Sequence, residues 1–259
     1  MTGNTSRTQK LFNSVNPPIA SSFPGGSSRA VPFMTFLLVM LLTACTTTNP
    51  LEDYQKELAQ YPEYQIILQD MKADGNFATD YMHQYKIVWA EPVGDSLVFN
   101  SEITDWHHVS QELYEQHQQN LGMALMARSE SSEPVATAQP AGYQYIGNPH
   151  YGHWQTGLGG NSFWAFYGQY AFMSSMFNMM GGGPIYRNDY DNYRTSLRGG
   201  RSYYGLDNRY GTNGSQTKQT NKSFFERRTA RASRSAARQR TGRSSMNRFR
   251  GRSSGRGGK

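Results

Sequence analysis

The stretch that decides the predicted fold is Tyr85-Lys86-Ile87-Val88-Trp89-Ala90, in which β-branched and aromatic residues predominate. Glu91-Pro92-Val93-Gly94-Asp95 follows it with the composition of a turn. Ser96-Leu97-Val98-Phe99, extended to Ile103, then supplies a returning strand. The sequence therefore predicts a β-hairpin between Tyr85 and Ile103.

Helices are expected on both sides of this hairpin. Leu51 to Leu58 predicts a short helix that stops before Pro62. A second helix is indicated by apolar residues at helical spacing and ends at Asp74-Gly75-Asn76; these residues are Tyr64, Ile67, Leu68 and Met71. Thr104 or Asp105 would cap a longer helix ending near Arg128. We expect a small acidic α+β domain over 51–128, in the order helix, hairpin, helix.

The charge of the chain is divided unevenly. The whole chain has a net charge of +7 and is 37% hydrophobic. Residues 51–135 contain 15 acids and four bases, whereas residues 218–259 contain 14 bases and one acid. A single uniform globular domain is therefore not expected. Residues 129–141 are rich in Ser, Glu, Pro and Ala and predict an extended, mobile linker.

Residues 142–210 form a segment rich in Gly, Tyr and Met, with an uncharged apolar helix predicted over 163–180. Its mixture of aromatic and polar residues favours a helix at a membrane interface or a self-associating helix. A helix buried in a core and a transmembrane helix are the alternatives. The expected membrane or partner contacts are Phe163, Trp164, Tyr167, Phe172 and Met176.

Residues 211–259 are an Arg/Ser/Gly tail, predicted to be disordered because it contains few apolar residues. The arginines expected to contact anions are Arg238, Arg240, Arg243, Arg248 and Arg250. In a cytosolic protein this composition favours nucleic-acid binding. On an exported protein the partners would instead be anionic lipid, an envelope polymer or an envelope protein. A solvated tail without a dedicated partner is the simplest alternative.

The single cysteine follows a ten-residue apolar run, Phe33 to Leu42, which has the length of a signal-peptide core. Leu42-Thr43-Ala44-Cys45 resembles the lipobox of bacterial lipoprotein precursors. The resemblance implies that residues 1–44 are a leader, that residues 45–50 are a lipidated linker, and that Cys45 carries diacylglycerol and an N-acyl chain such as palmitate. Thr46 implies outer-membrane sorting, with the protein facing the periplasm. Met1 and Met34 both remain possible starts, and a buried Cys45 in a cytosolic protein is the alternative.

A weaker resemblance covers residues 160–183. Phe163-Trp164, the sequence Met179-Met180-Gly181-Gly182-Gly183 and the basic tail are similar to the YgiB-type family of uncharacterised bacterial lipoproteins. The chain departs from that family because Cys45 is its only cysteine. The resemblance implies no reaction and no ligand.

No catalytic or metal-binding motif is recognised. On the predicted long helix, His107 and His117 would lie nearly three turns apart, too far to share an ion unaided. We therefore predict no catalytic residues, no metal and no cofactor besides the lipid on Cys45. The predicted function is a non-catalytic structural, adaptor or assembly role for a membrane-anchored envelope lipoprotein. The alternatives are a nucleic-acid-binding protein that uses the tail, and an enzyme with a site in the acidic domain.

Overall fold

The computed structural model describes residues 49–75, 79–94, 96–130, 132–177 and 183–250, without the side chains of 239–250. The leader, Cys45 and most of the lipidated linker lie outside the described residues. So do the last nine residues of the tail.

The chain is an α+β fold of antiparallel strands and helices. The strands are β1 Glu63–Asp74, β2 Asp80–Val93, β3 Ser96–Ile103, β4 His107–His108, β5 Met123–Arg128, β6 Gln139–Pro140, β7 Gly152–Thr156 and β8 Ser162–Phe166. The helices are α1 Pro50–Leu58, α2 Gln111–His117, α3 Phe172–Met176, α4 Arg187–Arg198, α5 Ser215–Thr220 and α6 Lys222–Arg250.

One sheet has the strand order β3-β2-β1-β5-β6, with β4 also paired to β2, and β7 pairs with β8 in a second sheet. The predicted hairpin is confirmed: β2 pairs with β3, and Ala90 lies opposite Phe99. The predicted N-terminal helix is confirmed as α1, which Asn49 caps by accepting a hydrogen bond from the Leu51 N–H.

The second predicted helix is wrong, because Tyr64, Ile67, Leu68 and Met71 lie on strand β1. β1 is a central strand buried on both faces, so it lacks the alternation that marks a half-exposed strand. The apolar residues therefore matched a helical spacing by coincidence.

The long helix predicted from Thr104 or Asp105 to Arg128 is also wrong. The structure divides this stretch into β4, the short helix α2 and strand β5. Ser110 caps α2 by accepting a hydrogen bond from the Leu113 N–H at 3.1 Å. Gly122 has a φ of +76° and turns the chain into β5. β5 has the alanine-rich sequence MALMAR, and burial between β1 and β6 overrides its helix propensity.

The Gly/Tyr/Met-rich segment packs on one face of the large sheet. Tyr143, Tyr145 and Tyr151 are fully buried there, in one cluster with Ile67 and Val88 of the sheet. The preceding stretch, predicted as an extended and mobile linker, is partly paired with the sheet, since Val135 bridges to Ala127 and residues 139–140 form β6. These segments thus share a core with the acidic domain.

Only a small part of the apolar helix predicted over 163–180 is present in the described part of that range. Residues 163–166 belong to strand β8, and only α3, from Phe172 to Met176, is α-helical. Aromatic residues such as those of β8 fit a pleated surface, and the pairing of β7 with β8 gives this stretch a strand partner.

The tail also differs from the prediction, because residues 215–220 and 222–250 are helical. Alanine and arginine have high helix propensity and recur along α6. Phe224 at its start is buried in a second cluster, on the other face of the sheet, beside Leu68 and Leu125. The helix is thereby attached to the folded domain.

Candidate functional site

The attachment of α6 is built on an irregularity of strand β1. The pairing of β1 with β2 shifts between Leu68 and Asp70, so Gln69 is an extra residue in β1. The Gln69 carbonyl accepts a hydrogen bond from the Asn221 side-chain amide at 2.7 Å. Asp70 follows with an 11% exposed side chain, which accepts a hydrogen bond from the Met71 N–H. This bulge therefore presents two acceptors to the start of α6.

Arg227 completes the attachment. Its Nη2 donates to Asp70 Oδ1 at 2.5 Å and to Oδ2 at 2.6 Å. The first turn of α6 has no acidic residue, and Asp70 of the sheet is the acid that pairs with Arg227 in the second turn. Trp106 packs nearby, with Lys72 Nζ 4.3 Å and the Arg227 guanidinium 5.9 Å from its ring centre.

A stripe of arginines leaves this attachment point. Arg227, Arg231, Arg234 and Arg238 are spaced by four, three and four residues, so they share an arc of about 60° on the helix. The stripe is about 16 Å long at 1.5 Å per residue. Arg231, Arg234 and Arg238 are exposed, as is Arg228 beside the stripe. This surface, here called the arginine stripe, presents guanidinium groups at intervals suited to a row of anionic groups.

The base of the stripe lies close to α2. Burial raises the pKa of the Tyr114 hydroxyl, and the nearby positive charges of Arg231 and Arg228 partly oppose that shift. Arg228 and Arg231 thus lie near Tyr114 of α2.

The structure places only part of the predicted anion site. Arg238 is exposed at the end of the stripe. The backbone of α6 continues through Arg240, Arg243, Arg248 and Arg250, whose side chains lie outside the described ones. Arg227, Arg231 and Arg234 were missed, although their i, i+4, i+7 spacing is visible in the sequence.

The five residues predicted to contact a membrane do not share one face. Trp164 is buried against Trp154, with ring centres 5.2 Å apart, and Met176 packs against the same core. Phe163 is half-buried, whereas Tyr167 and Phe172 are exposed. Among the described residues, Leu158 at the β7–β8 turn is the most exposed large apolar side chain. Of the helices that the structure describes, none is both long and apolar enough to cross a membrane.

A buried carboxylate fastens the Gly/Tyr/Met-rich segment. Asp189 on α4 accepts hydrogen bonds from the Tyr143 hydroxyl at 2.7 Å, from the Tyr203 hydroxyl and from the Leu206 N–H at 3.3 Å. Tyr210 extends the network through the Tyr143 hydroxyl at 3.3 Å. Asp189 is 2% exposed, so these donors replace the water that its charge has lost.

Glu63 forms a second buried connection. It accepts hydrogen bonds from the Tyr151 hydroxyl at 2.7 Å and from the Glu130 N–H at 3.2 Å. Burial raises the pKa of the Glu63 carboxyl, although both donors oppose that shift. Both connections join segments distant in sequence and serve to fix the fold.

The histidines considered for metal binding have separate partners. His107 lies on β4 with its Nε2 2.8 Å from the Tyr54 hydroxyl, and His108 Nδ1 lies 2.7 Å from Asp80. His117 ends α2 with its Nδ1 3.2 Å from the Asn120 amide. Within the described residues, no group of three His, Cys, Asp or Glu side chains is placed to hold a metal ion.

His83 and His117 form a buried pair. Their ring centres lie 6.3 Å apart, and His83 also stacks on Tyr114. Burial lowers the pKa of His83 to about 3 and that of His117 to about 4, and the proximity of His117 contributes to the His83 shift. His83 Nδ1 contacts the Tyr85 hydroxyl at 3.1 Å, while its Nε2 has no hydrogen-bond partner among the described residues. Both rings are thus neutral near pH 7.

A small cavity lies between the sheet and α5. Lys86, Gln69, Thr217 and Asn221 contribute to its lining, and its volume of about 20 Å³ has room for about one water molecule. Lys86 Nζ donates to the Met176 carbonyl at 2.7 Å, and burial lowers the pKa of the lysine.

The chain matches no protein-family model, no curated protein and no solved structure.

Proposed function

We propose that this chain is a bacterial envelope lipoprotein, anchored through an acylated Cys45, with a non-catalytic adaptor role. In this role the α+β domain holds the arginine stripe for contact with an anionic partner. The proposed partner is anionic lipid or a phosphate-bearing envelope polymer, and the location is the outer membrane on its periplasmic side.

The observation that carries the proposal is the contrast between the two ends of the described stripe. At its start, Arg227 is bound to Asp70 and Phe224 is buried. Farther along, Arg231 and Arg234 are exposed. A helix so attached holds its guanidinium groups in a fixed row, which costs less conformational entropy on binding than a disordered tail would.

The anchor is tested by intact mass and cell fractionation of the wild type beside Cys45→Ala. The proposal expects a wild type that begins at an acylated Cys45 in the membrane fraction, and a variant released from it. An unprocessed, soluble wild type would contradict the anchor.

The anion contact is tested separately, with the full chain carrying Cys45→Ala and vesicles of phosphatidylglycerol or phosphatidylcholine. Each arginine near an anionic surface contributes about 1 kcal/mol. Arg231→Gln with Arg234→Gln should therefore weaken binding to phosphatidylglycerol roughly thirtyfold. The matched control is Arg187→Gln with Arg194→Gln, which removes the same charge from α4. Equal weakening by both pairs would show that net charge, and not the stripe, determines binding.

Nucleic-acid binding is the second candidate, because the same row of guanidinium groups also suits a phosphate backbone. It predicts a soluble, unprocessed protein. Its affinity for duplex DNA or RNA would fall steeply with salt and would depend on Arg231 and Arg234.

A further inference from the structure

Strand β3 forms an open edge of the large sheet. It pairs with β2 on one side, and no described residue pairs with its other side. The Thr104 N–H donates to the Tyr85 carbonyl at 2.9 Å, which fixes the phase of the ladder. Since antiparallel ladders alternate, the N–H and C=O groups of the odd-numbered residues point outward. These residues are Leu97, Phe99, Ser101 and Ile103.

The composition of β3 does not protect this edge. Its eight residues SLVFNSEI include no Lys, Arg, Pro or Gly and a single acid. Val98 is 45% exposed and Ile103 is 58% exposed. Natural sheets usually blunt an edge with charge, proline or shortness. The opposite edge of this sheet shows such protection, because β6 has two residues and one is Pro140.

We propose that β3 pairs antiparallel with β3 of a second copy of this chain, about a two-fold axis at Asn100. A two-fold axis normal to the sheet places equivalent faces of the two copies on the same side of the joined sheet. Odd-numbered residues must therefore lie opposite odd-numbered residues, and even-numbered opposite even-numbered. With the axis at Asn100, Leu97 lies opposite the partner's Ile103 and Phe99 lies opposite the partner's Ser101. All outward backbone groups then find partners, in about eight hydrogen bonds.

The side chains favour this register over the one with its axis at Phe99. The exposed Ile103 of each copy lies opposite Leu97 of the other, so the two-fold axis creates this apolar pair twice. Glu102 lies opposite the partner's Val98, so no like charges oppose each other. An axis at Phe99 would place Leu97 opposite the partner's Ser101 and leave Ile103 without an apolar partner. The edge is thus self-complementary, which favours a second copy as its occupant. This inference does not depend on the proposed function.

Proline substitution tests the pairing. Ser101→Pro removes an outward N–H and leaves the β2–β3 hydrogen bonds intact, since proline is tolerated on an edge strand whose N–H faces outward. In sedimentation equilibrium of the full chain with Cys45→Ala, we expect a dimer that Ser101→Pro converts to a monomer. Ser101→Thr keeps the N–H and should remain dimeric. Far-ultraviolet circular dichroism checks that all three variants are folded.

A cysteine cross-link tests the register. Asn100 would face its own copy in a non-hydrogen-bonded pair, where the Cα atoms lie about 4.5 Å apart and a disulfide can form. In the Cys45→Ala background, Asn100→Cys should cross-link into covalent dimers much faster than Glu102→Cys, which lies on the same face. A monomeric chain at all concentrations, or equal cross-linking at the two positions, would overturn the proposal.

Discussion

The Arg227 guanidinium and the Asp70 carboxylate, 157 positions apart in the chain, meet at 2.5 Å where helix α6 crosses strand β1. The Asp70 side chain is 11% exposed and that of Arg227 is 43% exposed, so the pair is partly shielded from water. The neutralised Arg227 is the base of the arginine stripe. The stability of this contact therefore affects how firmly the exposed arginines are held.

Asp70→Asn should loosen α6 without unfolding the domain. We expect a loss of about 1–2 kcal/mol of unfolding free energy, because the asparagine has no negative charge and offers the Arg227 guanidinium one acceptor oxygen in place of two. Amide exchange should become faster in residues 222–230. Asp53→Asn is the control, since Asp53 pairs with Lys56 in a solvent-exposed ion pair at 3.4 Å. That change should cost less than about 0.5 kcal/mol, and an equal cost for both variants would contradict the assigned role of Asp70.

The buried histidines predict a pH dependence of stability. Folding lowers the pKa of His83 to about 3 and that of His117 to about 4, from an ordinary value near 6.5. Between the folded and the unfolded pKa values, the unfolded chain binds more protons than the folded one. The contribution of the neutral histidines to the unfolding free energy is therefore fully present above about pH 6.5 and decreases as the pH falls. Thermal unfolding followed by circular dichroism from pH 7.5 to 4.5 should show this decline.

His83→Gln identifies the group responsible for that decline. The variant should be less stable at pH 7.5 but lose less stability on acidification than the wild type. Glu63 acts in the opposite direction, because its raised pKa favours the folded state as the pH falls. Since Glu63 is unchanged, the difference between the two pH profiles isolates His83, and parallel profiles would refute its contribution.

Truncation should destabilise the fold strongly at Trp164 and hardly at all at Leu158. Trp164→Ala removes a buried ring and should cost about 3–5 kcal/mol in urea unfolding. Leu158→Ala changes a fully exposed side chain and should alter stability by less than about 0.5 kcal/mol. A small effect of Trp164→Ala would contradict its assignment to the core and would favour the membrane or partner contact that the sequence predicts.

The buried Asp189 network should be sensitive to a single hydroxyl group. Tyr143→Phe leaves a carboxylate oxygen without its phenolic donor, at a cost of about 1.5–3 kcal/mol. Tyr167→Phe is the matched control at an exposed tyrosine and should change the unfolding free energy by less than about 0.5 kcal/mol. Equal chemical-denaturation midpoints for the two variants would exclude a stabilising role for the Tyr143 hydroxyl.

The hairpin of β2 and β3 could be predicted because its strand residues, turn and partner are adjacent in sequence. Strand β1 could not, because it is central and contains polar residues whose partners lie far along the chain. Gln65 accepts a hydrogen bond from the Gly142 N–H at 3.0 Å, and Glu63 accepts one from Tyr151. In the sequence alone such residues indicate an exposed face.

The sequence predicted only part of the candidate site, because the contacts that hold helix α6 also come from distant parts of the chain. The basic composition of the tail predicts anion binding, and the structure shows that Arg238 is exposed. The order of the helix depends on Phe224 being buried and on Asp70 being placed by a bulge in a distant strand. Neither condition can be read from the tail itself.

Because of the bulge at Gln69, the attachment of α6 depends on the exact number of residues in strand β1. Deleting the single codon for Gln69 would restore a regular pairing between β1 and β2 and move Asp70 to the position of the lost residue. Because the side-chain period of a strand is two, Asp70 would then point to the opposite face of the sheet. A deletion that leaves every basic residue of the tail unchanged would thus separate the tail from the domain, and natural variation in length should be rarer at this position than in the surface turns.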